Sequence, residues 1–185
     1  MHMNDSADSS VEVPKPPAHR TGVVVGSWPL GMPSDPRFYR RIARVIEDAG
    51  FDSLFVGDHV FAAGPIPDAC ATLAAFAAQT EHIAIGSAVL LVPLREPVVT
   101  AKQIATIDII ASGRFILGVG VGGEFENEWR AVGVPVEGRG RRLDEYLDLM
   151  QQLWSGDTVD HAGPLHAVSG VIGSPLPHQR PRPPI

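Results

Sequence analysis

Four apolar runs, each followed by a helix-length amphipathic segment, constrain this chain more than any other feature of its sequence. The runs start at residues 21, 53, 82 and 114, so successive starts lie 32, 29 and 32 residues apart, the length of a parallel strand–helix–strand crossover. The run TGVVVGSW (21–28) is continuously apolar, as a strand covered on both faces requires. Asp35 and Pro36 supply a cap and a first-turn residue for a helix with Phe38, Ile42, Val45, Ile46 and Ala49 on one side, and Gly50 ends it. The same logic predicts strand 53–57, helix 69–79, strand 82–90, helix 97–111, strand 114–121, a short helix near 124–131 and a long helix 138–154. An apolar stripe of Leu143, Leu147, Met150 and Trp154 marks the last of these.

Four βα units fit either an open doubly wound sheet or half of an eight-stranded barrel, which takes about 250 residues when whole. The periodicity is common to both. With 185 residues, one α/β core is the economical reading. The expected divisions are a flexible, Ser/Asp/Pro-rich segment over 1–20, the βα body over 21–157, and an irregular connection over 158–185, where six prolines break the pattern.

The formal net charge is −6, and the arginines at 20, 37, 40, 41 and 44 are scattered among acids, so no nucleic-acid footprint is expected. The first twenty residues have no apolar centre and read as neither signal peptide nor membrane span. The single cysteine, Cys70, excludes an internal disulfide framework and favours a reducing, cytoplasmic setting. Between Ala69 and Ala71 it fits helix packing. His161 and His166 lack a third ligand, so no metal site is expected.

Chemistry concentrates where the apolar runs end. GFDSLFVGDHV (50–60) closes on a carboxylate beside an imidazole. His59 is suited to proton handling or to hydrogen-bonding a bound ring, and Asp58 to orienting it or to capping a turn. Strand parity separates the two, since Phe55, Gly57 and His59 share one face while Leu54, Val56 and Asp58 share the other. Gly22, Gly26, Gly57, Ala84, Gly86, Ala88, Gly118 and Gly120 fall on matching parities. Such a small lining either makes room for a planar ligand or serves close packing. Gly118, Gly120 and Gly123 also have dinucleotide-loop spacing, with Asp144 about twenty residues on. That motif follows the fourth strand rather than the first, and Gly133 and Pro135 interrupt its helix, which disfavours a nicotinamide site. Ser27 and Ser87 lack a nucleophile-elbow setting.

The ordered set GFDSLFVGDHV, HIAIGSAVLLVPLREPVVTAKQIATIDIIASGRFILGVGVGG and GRGRRLDEYLDLMQQLW resembles the luciferase-like flavin and deazaflavin oxidoreductase superfamily, especially its coenzyme F420-dependent members. The resemblance spans roughly residues 20–185. It implies a TIM-type (β/α)8 barrel, here about four βα units forming an incomplete barrel, with QRPRPPI leading toward a fifth strand. It further implies coenzyme F420, or FMN in its place, and hydride transfer to or monooxygenation of a small organic substrate. By resemblance His59 is the leading catalytic residue, with Asp58 and Glu124 beside it. Gly57, Ser87, Ala88, Val89, Gly120, Gly122 and Gly123 then line the cofactor site, and a non-prolyl cis peptide joins Ala88 to Val89. Many relatives carry a larger aromatic residue near Gly123, so the glycine is expected to enlarge the pocket or to weaken a contact. The competing expectation is a non-catalytic fragment that associates through open sheet edges, as a homo-oligomer or with another chain.

Overall fold

The structure, a computed structural model, describes residues 20–26, 35 and 37–185. Residues 1–19 of the expected flexible segment and the residues Ser27, Trp28 and Pro36 lie outside these. Four strands, β1 (Gly22–Val25), β2 (Ser53–Val56), β3 (Ala84–Ser87) and β4 (Phe115–Ile116), form one parallel sheet in sequential order. Register runs Val25 to Val56 to Ser87 across the first three strands, and Ile85 and Gly86 pair with Phe115 and Ile116. Beyond β4 a further bridge joins Leu90 to Val119.

The described residues form five α-helices: α1 (Arg37–Asp48), α2 (Ala69–Ala77), α3 (Pro97–Ile110), α4 (Glu126–Ala131) and α5 (Arg139–Leu153). Their starts obey local chemistry. Asp68 accepts from Ala71 N at 2.8 Å to cap α2, and Glu96 accepts from Val99 N at 2.6 Å with Pro97 in the first turn of α3. In α1 the buried face is Ala43 and Ile46, with Tyr39 and Ile42 packed beside them; Val45, expected inside, is exposed. In α5 the deep positions are Leu149, Met150, Leu153 and Trp154, so the apolar stripe lies closer to the helix end than its spacing indicated. Arg142 of the same helix is buried and donates to the Pro135 carbonyl at 3.0 Å.

The two faces of the sheet differ sharply. Leu54, Ile85, Phe115 and Leu117 are fully buried with Leu73, Phe76, Ile104, Leu149 and Met150 of the helices. That is the core. The opposite face carries Val24, which is 61% exposed, together with the partly exposed Phe55 and Ile116. In a closed barrel this face would be the interior; here the sheet is a half-shell and no barrel closes.

The expected irregular connection over 158–185 is corrected in part. Strands β5 (Thr158–Ala162) and β6 (Ala167–Ile172) pair as an antiparallel hairpin, with Val159, Val168 and Val171 packed against the core. Of the six prolines of 158–185, Pro164 sits in the turn and the other five come after Ile172, so none removes a ladder donor. The remaining residues have no regular structure but are tied down. Gln179 donates from its backbone and side chain to the buried Asp108 carboxylate at 2.8 and 2.7 Å, and Leu117 N donates to the Pro184 carbonyl at 2.9 Å. The last residues therefore run beside β4.

Candidate functional site

Parallel strands place their C-terminal tips together, and here those tips surround a cavity of about 510 Å³. Gly26 follows β1, Gly57, Asp58 and His59 follow β2, Ala88 and Val89 follow β3, and Gly120, Gly122 and Glu124 lie beyond β4; all border it. Gly57 leaves real space, because a Cβ there would meet nothing nearer than Gly26 Cα at 3.6 Å, with the Ala88 and Val25 carbonyls at 3.8 and 3.9 Å. The Ala88–Val89 peptide is cis.

Other small residues serve packing. A Cβ on Gly86 would run into the Phe55 ring, and one on Gly118 into the Ser87 carbonyl oxygen. Over β3 the space is filled by Phe55, so there the close-packing alternative holds. Ser87 does not reach the cavity: it is buried, and its hydroxyl donates to the Gly118 carbonyl at 2.7 Å. Gly123, with φ of +115°, lies under the Arg139 guanidinium, whose Nε would stand 3.1 Å from an added Cβ. Its glycine permits that turn rather than enlarging the cavity.

Asp58 and His59 part company as strand alternation requires. Asp58 is buried away from the imidazole, accepting from Leu91 N at 3.0 Å and from Arg95 Nε and Nη2 at 3.2 and 2.7 Å. Arg95 also donates to Asp68 at 3.1 Å. Burial disfavours the Arg95 charge, but the Asp58 hydrogen bond and charge outweigh it and hold the guanidinium above its ordinary range. Asp58 is accordingly a clamp between the β2 tip and the segment after β3, the structural one of the two roles weighed for it. Beside this clamp Cys70 is buried in α2, and burial pushes its thiol up to about 11.

His59 keeps 22% of its side chain exposed and stands at the cavity edge. Its Nδ1 lies 3.2 and 3.3 Å from the two carboxylate oxygens of Glu128, a fully buried residue of α4. Glu128 also accepts from Val60 N at 3.0 Å. On the other side Nε2 lies 4.0 Å from Glu124, whose side chain is 77% exposed, and the Phe125 ring meets the imidazole edge-on at 5.1 Å. Glu128 is the site residue that strand-end reasoning missed. Its only signal was an acid three positions after Phe125 in a short helix, which reads equally well as a solvated first-turn charge.

A parallel βα half-shell with an imidazole, a carboxylate and small residues at its strand tips defines a strand-tip binding site of the TIM-barrel kind. The matching family model is "Luciferase-like monooxygenase", over residues 17–185, and the chain belongs to that family. It is 41% identical over 132 residues to an F420-dependent glucose-6-phosphate dehydrogenase of Beutenbergia cavernae, covering 67% of this chain and 39% of that protein. Over 148 residues it is 29% identical to the oxygenase component of a flavin-dependent trigonelline monooxygenase of Acinetobacter baylyi, covering 78% and 40% of the two chains. Among solved structures, a monooxygenase from Streptomyces bottropensis superposes with a TM-score of 0.80 at 26% identity, over 89% of this chain and 52% of that one. The chain therefore spans about two fifths of the length of the curated relatives it matches. No helix among the described residues is long and apolar enough to cross a membrane.

Proposed function

We propose that this chain carries the first four strands of a luciferase-like oxidoreductase, and that its strand-tip cavity receives the ring of a reduced deazaflavin, coenzyme F420. FMN is the alternative ring. The observation that carries the reading is His59 held at the edge of a cavity that Gly57, Ala88 and Gly120 line with small side chains and backbone, beside apolar residues such as Val89 and Leu91. These residues fit a flat ring: the floor at Gly57 and Gly26 is open to close approach, and Val89 and Leu91 give it apolar contact.

When bound, such a ring supplies the hydride, or with dioxygen the oxygen transfer. The chain's own contribution is binding and proton handling. Gly57 and Ala88 let the backbone come near the ring, and Val89 and Leu91 exclude water from one side. His59 Nε2 faces the cavity, where it can exchange a proton with a small organic substrate. Glu124, exposed and 4.0 Å away, can pass that proton to solvent.

The relatives' names support both chemistries, hydride transfer by F420-dependent dehydrogenases and oxygenation by a flavin-dependent monooxygenase. The higher identity to the F420-dependent relative favours the deazaflavin. Anaerobic titration of the purified chain with reduced and oxidised F420, and separately with FMN, tests the proposal by absorbance and fluorescence. Saturable changes with F420 that are abolished by Gly57→Leu are expected; a folded chain that perturbs neither ring overturns it. The second reading, an interaction fragment, is favoured by one observation, the exposure of Val24 on the open face of the sheet.

A further inference from the structure

We infer that Glu128 is a positioning residue that fixes the tautomer of His59, so that Nδ1 always carries a proton and Nε2 is the one ring nitrogen that gains or loses a proton at the cavity. The inference takes its functional meaning from the redox-site reading above, but its physical content belongs to three groups already in place. Val60 N–H can only donate, and it points at Glu128 Oε2 from 3.0 Å. An ionised carboxylate only accepts, so the second group directed at it, His59 Nδ1 at 3.2 Å from Oε1, must present a hydrogen. Glu128 is fully buried, and these two are the partners that offset its desolvation. Removing the Nδ1 proton would leave lone pairs of the ring nitrogen and of a buried carboxylate facing each other.

The ring has little freedom to escape this arrangement. Phe125 closes on it edge-to-face at 5.1 Å and 78°, and Val60, the next residue in the chain, shares the same carboxylate. Glu128 lies on α4, beyond β4, whereas His59 follows β2, so the pair also sets the distance between two strand-tip loops. Nε2 is left toward the cavity and Glu124. A free neutral imidazole mixes both tautomers; here one is imposed.

The isosteric variant Glu128→Gln makes the inference sharp. With Val60 N–H donating to its single side-chain oxygen, as it does to Glu128 Oε2, its amide N–H₂ faces Nδ1. That nitrogen must become the acceptor, and the proton moves to Nε2 without a change of shape. The test is the ¹⁵N spectrum of the His59 ring in the ligand-free chain, at a pH where the ring is neutral. In the wild type the low-field signal of an unprotonated ring nitrogen is expected on Nε2, and in Glu128→Gln on Nδ1. A wild-type spectrum with the low-field signal on Nδ1 overturns the inference whether or not any variant folds. So does a folded Glu128→Gln chain, its Val60 amide signal in place, whose ring keeps the wild-type pattern. Glu128→Asp, which restores an acceptor-only group, is expected to return the low-field signal to Nε2. No ligand takes part, so failure of F420 or FMN binding leaves this result intact, and a failed tautomer test leaves binding to be judged by titration.

Discussion

Asp58 and His59 are neighbours in the chain and do opposite work. The carboxylate is spent on Arg95 and on the Leu91 amide inside the protein, and the imidazole meets a different acid 69 positions later. Asp58→Ala is expected to destabilise the chain by roughly 2–3 kcal/mol, somewhat less than the usual loss on breaking a buried pair, because Asp68 still faces Arg95. Urea unfolding followed by circular dichroism measures it; a change below about 0.5 kcal/mol would remove Asp58 from its clamping role. Strand parity in the sequence already separated the two side chains, and the structure keeps that separation. The partner of His59 was illegible, because nothing in a linear sequence joins the end of β2 to a helix after β4. The glycines divide likewise: Gly57 opens space, whereas Gly86 and Gly118 accommodate Phe55 and the Ser87 carbonyl. One residue type at one parity has two physical causes.

At the scale of elements, strands and helices were readable because period-2 and period-3.6 burial leave different apolar patterns. The joints between them were less so. Glu47, near the end of α1, accepts from the backbone N–H groups of Glu81, His82 and Ile83 at 2.7–3.1 Å, and so holds the turn before β3. Burial alone would raise its carboxyl, but the three backbone donors outweigh burial and hold it below the ordinary 4.5. A folded value below the unfolded one means that its contribution is complete above about pH 4.5 and is lost as pH falls through the folded value. Glu47→Gln is therefore expected to cost about 1–2 kcal/mol at pH 7. Its stability should converge with the wild type's toward pH 3, and parallel stability curves at both pH values would contradict the assignment. The β5–β6 hairpin was missed because proline density weighs against regular structure on average, whereas only proline position decides it. Pro164 occupies the turn, and the others fall after Ile172.

For the whole molecule, the consequential feature is that one side of the parallel sheet is covered and the other is not. Val24 at 61% exposure, the outer edge of β1 and the wide strand-tip cavity all lie on the open side. Apolar surface beside unpaired strand edges promotes association, so the purified chain is expected to self-associate with rising concentration. Val24→Glu should weaken this in sedimentation velocity while changing stability by less than about 0.5 kcal/mol; a wild-type chain that stays monomeric at all concentrations would show that the open face is not sticky. What the sequence by itself determined is the order of the βα units, their parallel pairing and the strand tips as the place for chemistry. Those follow from local periodicity and from the reach of a crossover. What only the tertiary structure decided is which acid faces His59 and which glycines make space. Each of these depends on distances between segments far apart in the chain, which packing sets and composition does not encode.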